Sequence, residues 1–230
     1  MSLSGARTGT LPAAWPRTTL LSEGALFPLG FGLNYRAQAG DWAMLPELDT
    51  QSLTGDSRVW FNAGTPAARW SLMLTGTNGE VETRVTTLPA EALGGRMRVT
   101  AENYKLQEGA KRFAITGGNA SVQLGNLDGV DGAREANGDV LLLVTLRSWH
   151  APAKARIGAT GPGSRGFAEI ALPVSGDYVR YGIPLKCLRD KGADVAKLTR
   201  PFVLETEGKA DFAIAEVRLG SDAQQVLPCR

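Results

Sequence analysis

From about residue 55 onward, apolar side chains recur at every second position, and this period constrains the chain more than any other feature. Successive side chains of an extended strand point to opposite faces, so such alternation marks a ribbon with one buried and one polar face. The pattern is read over residues 58–61, 69–74, 81–88, 96–104, 111–116, 120–124, 140–149, 166–172, 178–185, 202–206 and 212–219. β-Branched and aromatic residues supply the apolar positions, and Asn78-Gly79, Gly118-Asn119 and Asn137-Gly138 punctuate them as turns. Helical periodicity is confined to a short stretch around residues 186–197, interrupted by Gly192. Roughly ten strands spaced about 8–12 residues apart, without helical crossovers, predict an all-β fold, a jelly-roll β-sandwich over residues 46–230.

Residues 1–45 are of another kind. They are rich in Pro, Gly and Leu with no sustained period, which breaks helix and strand alike. Phe27, Leu29, Phe31, Leu33 and Tyr35 are too apolar for a free linker, so this irregular extension is expected to pack on something. With 43% hydrophobic and 21% charged residues the chain is globular. Its net charge of +2 and scattered basic residues (Arg58, Arg69, Arg84, Arg96, Arg98, Arg147) argue against a nucleic-acid partner. The longest apolar run, Val140 to Leu146, fits one buried strand and falls far short of the ~20 residues of a membrane span. Met1–Thr10 lacks a charged region followed by an apolar stretch, and so does not read as an export signal. Cys187 and Cys229 have no metal spacing; they either pair in an oxidising compartment or leave Cys187 as a small buried hydrophobe.

Little in the sequence points to catalysis. There is one histidine, His150, and no Gly-x-Ser-x-Gly elbow. The glycine-rich stretch 158–166 is followed by neither Lys-Ser/Thr nor a helix, so a mobile hairpin loop is expected there in place of a phosphate cradle. Asp128 and Asp131 put two carboxylates on a tight turn that could hold calcium, but the EF-hand pattern is missing and a plain turn is the favoured reading. No acid stands out as half of a glycosidase pair.

Binding has better candidates. Along residues 140–150, Val140, Leu142, Val144 and Leu146 share one face, and Leu141, Leu143, Thr145, Arg147 and Trp149 share the other. The second face runs from apolar to polar and ends in Arg-x-Trp. Two readings stand: a strand lining an open cleft, or an edge where Arg147 packs along the Trp149 ring. Sugar contact in the first case falls to Thr145, Arg147, Trp149 and, at the margin, His150, with the indole as stacking face and the guanidinium as forked donor. Residues 96–104 behave similarly: Arg98, Thr100, Glu102 and Tyr104 share a face that either lines a cleft or is a polar face on solvent, the latter favoured. Trp60 and Trp70 are assigned to the core.

Two stretches carry a resemblance. Leu26-Phe27-Pro28-Leu29-Gly30-Phe31-Gly32-Leu33-Asn34-Tyr35 resembles the Leu-Phe-Pro-Phe-Gly-Tyr-Gly-Leu-Ser-Tyr sequence that closes the α/β domain of family 3 glycoside hydrolases. Tyr181-Gly182-Ile183-Pro184-Leu185, followed by Ala213-Ile214-Ala215-Glu216-Val217-Arg218-Leu219, is similar to the end of a galactose-binding-like jelly roll. It is most similar to that of the extra C-terminal domain of bacterial exo-1,3/1,4-β-glucanases. The resemblance implies that residues 1–45 are the tail of a preceding α/β domain. It also implies an accessory, non-catalytic role for residues 46–230, because the family's nucleophile and acid/base belong upstream. The implied parent is an exported, periplasmic or extracellular hydrolase acting on β-glucan or cello-oligosaccharide. The accessory domain would bind that sugar, or would pack on the upstream catalytic domains and shape the active-site rim. No cofactor is implied, although final-strand acids of such jelly rolls can hold structural calcium, and Glu216 stands near that place.

Overall fold

The computed structural model describes residues 59–76 except 68, and 82–228 except 106 and 127. The expected extension over residues 1–45 and the Leu-Phe-Pro stretch lie outside the described residues.

The strands form two sheets. The larger runs in the order β15 (Gln225–Val226), β12 (Val179–Pro184), β9 (Leu141–His150), β14 (Ala210–Gly220), β7 (Gln107–Ile115), β6 (Met97–Tyr104) and β5 (Ala90–Ala92). Where β7 leaves the edge of β14 after Ile214, β1 (Val59–Asn62) takes over at Val217 and Arg218, and β2 (Thr65–Pro66) pairs with β1. The smaller sheet runs β11 (Ser164–Ile170), β10 (Lys154–Gly161), β13 (Arg200–Glu207), β8 (Asn119–Gly125), β3 (Ser71–Thr75) and β4 (Thr83–Arg84). Among the described residues only β12 and β15 pair in parallel. Among the described residues the helices are two short pieces, α1 (Ala133–Ala136) and α2 (Leu185–Asp190). This is the sandwich that the alternation predicts.

The core lies between the sheets and is built from alternate residues of each strand. Met97, Val99, Phe113, Ile115, Leu142, Val144, Leu146, Phe212 and Ile214 come from the larger sheet, and Leu72, Leu74, Val122, Leu124, Phe202 and Leu204 from the smaller. Phe113 and Phe212 stack at 5.4 Å, and Trp60 meets Trp70 at 5.6 Å. Each fully buried ring of this kind is worth about 1.5–3 kcal/mol over exposure. Trp60 is fully buried and Trp70 partly so, as expected of core tryptophans.

Two features depart from the sequence reading, and a third settles an alternative it left open. Residues 158–166 are not a mobile loop: β10 and β11 run through them, and only the turn at Gly163 (φ +71°) needs glycine for its backbone angle. The other glycines there serve close approach. A Cβ at Gly166 would lie 2.1 Å from the Leu188 carbonyl oxygen, and one at Gly161 would lie 2.2 Å from that of Lys197. Second, the predicted strand over 81–88 shrinks to β4. Third, Cys187 is buried and disulfide-bonded, which removes the alternative of a lone hydrophobe; Cys229 lies outside the described residues. At the turn holding Asp128 and Asp131, Asn126 Oδ1 accepts from the Asp128 amide, and Asp131 Oδ1 accepts from the Ala133 amide at the start of α1.

Candidate functional site: the outer face of the larger sheet

Three irregularities shape this face, one of them a register shift between β6 and β7 at Glu102 and Asn103. Ser148 pairs with Phe212 and His150 with Asp211, which leaves Trp149 as the extra residue of a β-bulge. A second bulge lies between Ile214 and Glu216, so that Ile214 and Val217 both reach the core while Ala213 and Ala215 pack outward. Bulges bend a strand and re-aim its side chains. Here they set a floor of three buried alanines, Ala110, Ala213 and Ala215, under the partly buried Trp149, Tyr104 and Tyr178.

Polar groups ring these aromatics. Arg112 donates through Nε to Asp211 Oδ1 at 2.8 Å and through Nη2 to Oδ2 at 2.6 Å, a forked pair that raises the guanidinium pKa. Glu102 lies 3.7 Å from the same guanidinium. The Arg112 and Arg147 guanidinium carbons sit 4.3 and 4.7 Å from the Trp149 ring centroid. Tyr104 and Tyr178 meet edge to face at 4.9 Å. Burial, aided by Glu102, pushes the Tyr178 phenol up to about 12. The Tyr178 hydroxyl and Arg147 Nε are both buried and have no hydrogen-bond partner among the described residues. Buried polar atoms left unpaired cost about 1–3 kcal/mol each, so this face carries unspent hydrogen-bonding capacity.

The four residues singled out from the sequence separate in space. Arg147 and Trp149 come together as expected, but on β9, which lies between β12 and β14 and is not an edge. Trp149 remains partly exposed. Thr145 is only 3% exposed; its hydroxyl lies 3.3 Å from Glu216 Oε2 and 3.4 Å from Arg180 Nε. It belongs to a different network, in which Arg180 and Arg218 hold Asp222 at 2.6 and 2.7 Å and so fasten the chain after β14 onto β12. Glu216 is part of that network: Arg218 Nε donates to it at 3.0 Å, and Arg180 Nη2 lies 3.5 Å away. Among the described residues no three His, Cys, Asp or Glu side chains gather as a cation cage. His150 is exposed at the end of β9, opposite Asp211.

Sequence reasoning passed over Tyr178, Arg112 and Asp211, and it left Glu102 and Tyr104 to solvent. One signal was present. The apolar positions of β14 step by two to Ile214 and then by three to Val217, the trace of the bulge that turns Ala213 and Ala215 outward.

Residues 68–219 match the family model described as galactose-binding domain-like. No curated protein matches the chain. Among solved structures it is similar to the extra C-terminal domain (X) of exo-1,3/1,4-β-glucanase from a Pseudoalteromonas species. That match has 18% identity and a TM-score of 0.58, over 76% of this chain and 99% of that one. Against the whole of that glucanase the match covers 75% of this chain but 22% of the enzyme. The family 30 carbohydrate-binding module of a cellulosomal cellulase from Clostridium thermocellum is similar at 16% identity and a TM-score of 0.51, over 71% of this chain and 96% of the module. At such identities the likeness to solved structures concerns the fold, whereas the family model spans well over half of the sequence. The chain belongs to the galactose-binding domain-like family.

Proposed function

We propose that this domain is a non-catalytic, carbohydrate-binding accessory module of an exported family 3 glycoside hydrolase that acts on β-glucan or cello-oligosaccharide. The observation that carries this reading is the patch on the larger sheet. Trp149, Tyr104 and Tyr178 stand on an alanine floor, beside two guanidiniums and two carboxylates. Aromatic rings match the C–H faces of a pyranose, and planar forks match its neighbouring hydroxyls. The unpaired Arg147 Nε and Tyr178 hydroxyl are the donors a sugar hydroxyl would meet once the arginine moves aside. The family match and the likeness to an extra domain of a glucanase and to a carbohydrate-binding module support the same reading.

The test is titration of the chain with cello- and laminari-oligosaccharides followed by nuclear magnetic resonance. Binding is expected near a Kd on the order of 1 mM, about −4 kcal/mol. Trp149→Ala, still folded, should lose detectable binding, since a stacked ring supplies ~1–2 kcal/mol of that total. Equal binding by the variant would put the site elsewhere, and hydrolysis of the sugar by the purified chain would overturn the non-catalytic assignment.

One observation favours a second reading, a module that packs on the catalytic domains without holding sugar. The Trp149 ring is already occupied by two guanidiniums, and Trp, Tyr and Arg over small residues also make protein interfaces. On that reading the parent enzyme loses stability or activity without residues 50–230, while the isolated domain shows no sugar affinity.

A further inference from the structure

The outer face of the smaller sheet holds a second arrangement of the same chemical kind. Two depressions, of about 470 and 510 Å³, lie along β10 and β13, and Glu205 lines both. Together they follow β10 from Lys154 to Gly161, roughly 25 Å at ~3.3 Å per residue. At their junction Phe167 lies over the backbone of Gly158: a Cβ there would sit 2.5 Å from Cδ1 of the ring. The Arg156 and Arg165 guanidinium carbons lie 5.3 and 5.0 Å from the Phe167 centroid. Glu205 accepts from both arginines, from Arg156 Nη2 in a short contact and from Arg165 Nη2 at 3.4 Å. Alongside runs a polar floor. Gln123 is 7% exposed, and its Nε2 donates to the Thr75 and Ser121 hydroxyls, while Oε1 has no partner among the described residues. A buried amide and hydroxyl on the outward side of a sheet are costly unless something uses them.

We infer that this groove is a second binding site, for a neutral oligosaccharide chain lying along β10 and β13 across Phe167 and Glu205. Charge decides the ligand class. The four cationic side chains lining the groove are balanced by four carboxylates: Arg156 and Arg165 share Glu205, Lys154 lies 3.6 Å from Glu207, Arg200 lies 2.7 Å from Glu82, and Glu169 also lines the groove. An anionic ligand would have to break those pairs and would face Glu169, Glu205 and Glu207. A neutral polyol can instead insert hydroxyls that donate to carboxylates and accept from guanidiniums, with the Phe167 edge against its C–H groups.

The inference takes from the proposed function only the idea that the domain meets sugar, and the two are separable by experiment. The 230-residue chain is titrated with cellohexaose and with laminarihexaose, amide and arginine Nε resonances being followed, and then with an oligogalacturonide of similar length. The expected result with a neutral chain is saturable shifts at residues 156–167 and 203–205, with a weaker response to the uronic-acid oligomer. Phe167→Ala should weaken that binding tenfold or more, and so should Glu205→Gln, which keeps the side-chain shape if the first variant folds poorly. Neither should alter shifts at residues 110–112, 147–149 and 213. Shifts confined to those larger-sheet residues overturn the second site and leave the proposed function standing. Shifts confined to the smaller sheet support the second site and remove the first. Equal or stronger response to the oligogalacturonide overturns the neutral-chain assignment, and no shift on either face overturns both.

Discussion

The two outer faces of this sandwich carry one device on two different floors. On the larger sheet Trp149 lies against Arg112 and Arg147, with Asp211 gripping one of them. On the smaller sheet Phe167 lies against Arg156 and Arg165, with Glu205 gripping both. Beneath the first are buried alanines on the outward side of the sheet, beside a bulge; beneath the second is Gly158. A methyl floor lets Tyr104 and Tyr178 join Trp149 in one patch, which buries polar atoms that have no partner among the described residues. A bare backbone floor lets one ring lie down, leaving polar depressions on either side. The same pairing of ring and guanidinium thus yields an aromatic patch in one place and a groove in the other.

If the floor makes that difference, the largest effect comes from changing it. Gly158→Ala places a methyl 2.3 Å from the Gly166 carbonyl oxygen and against the Phe167 ring. Because the first of these is backbone, β10 and β11 must part, and a loss of about 3 kcal/mol is expected in urea denaturation. Ala213→Gly on the other face removes a methyl and adds backbone freedom, for about 1 kcal/mol. Equal costs at the two positions would mean that the floors do not govern the faces. Between these two in size is Trp149→Ala. The ring is partly exposed, so the loss should fall below the ~3–5 kcal/mol of a fully buried aromatic, at about 2 kcal/mol, read from the same denaturation midpoint.

How far these faces could be read in advance depended on the size of the residues involved. Period-two alternation located the strands whose inward positions are large, such as Met97 and Val99 in β6 or Leu142, Val144 and Leu146 in β9. Strand β10 was missed because its inward residues include Ala155 and Ala159, and its outward ones Gly158 and Thr160, which resemble a loop in composition. Gly158 is what lets Phe167 approach the sheet, as Gly166 of β11 does for the carbonyl of Leu188. Of the residues of the aromatic patch, Arg147 and Trp149 were legible together because they lie two apart on one strand. Arg112, Asp211, Tyr104 and Tyr178 join them only through the strand order β9-β14-β7-β6, which a local pattern does not contain. Thr145 shows the converse: alternation placed it beside Arg147, and contact with Glu216 and Arg180 buried it.

The faces should also differ in their response to alkali. Tyr178 keeps its proton in the folded chain to about 12, because burial disfavours the phenolate, whereas an unfolded tyrosine releases it near pH 10. Its contribution is therefore complete below pH 10 and is lost as the pH rises through 12. Melting followed between pH 9 and 12 should show a decline that Tyr178→Phe reduces. Near neutral pH that variant should be neutral or slightly stabilising, since it deletes a buried hydroxyl that has no partner among the described residues. An unchanged alkaline decline would place the responsible group outside the aromatic patch.

The smallest effect should come from Arg165→Ala. Its side chain is 65% exposed and reaches Glu205 at 3.4 Å, and Glu205 keeps Arg156 as a second partner. An exposed pair of this kind is worth ~0.5 kcal/mol or less, and salt screens it further. Arg112→Ala is the matching change on the larger sheet, where Asp211 is more exposed to water than Glu205 is but is held by two parallel hydrogen bonds and, among the described residues, by no other arginine. That forked pair should cost about 1–2 kcal/mol to remove, with weaker dependence on salt. Denaturation of both variants at low and high ionic strength gives the comparison. If Arg165→Ala proves the costlier, the guanidinium on the smaller sheet holds Phe167 down more firmly than its exposure implies, and the groove is rigid before any ligand arrives.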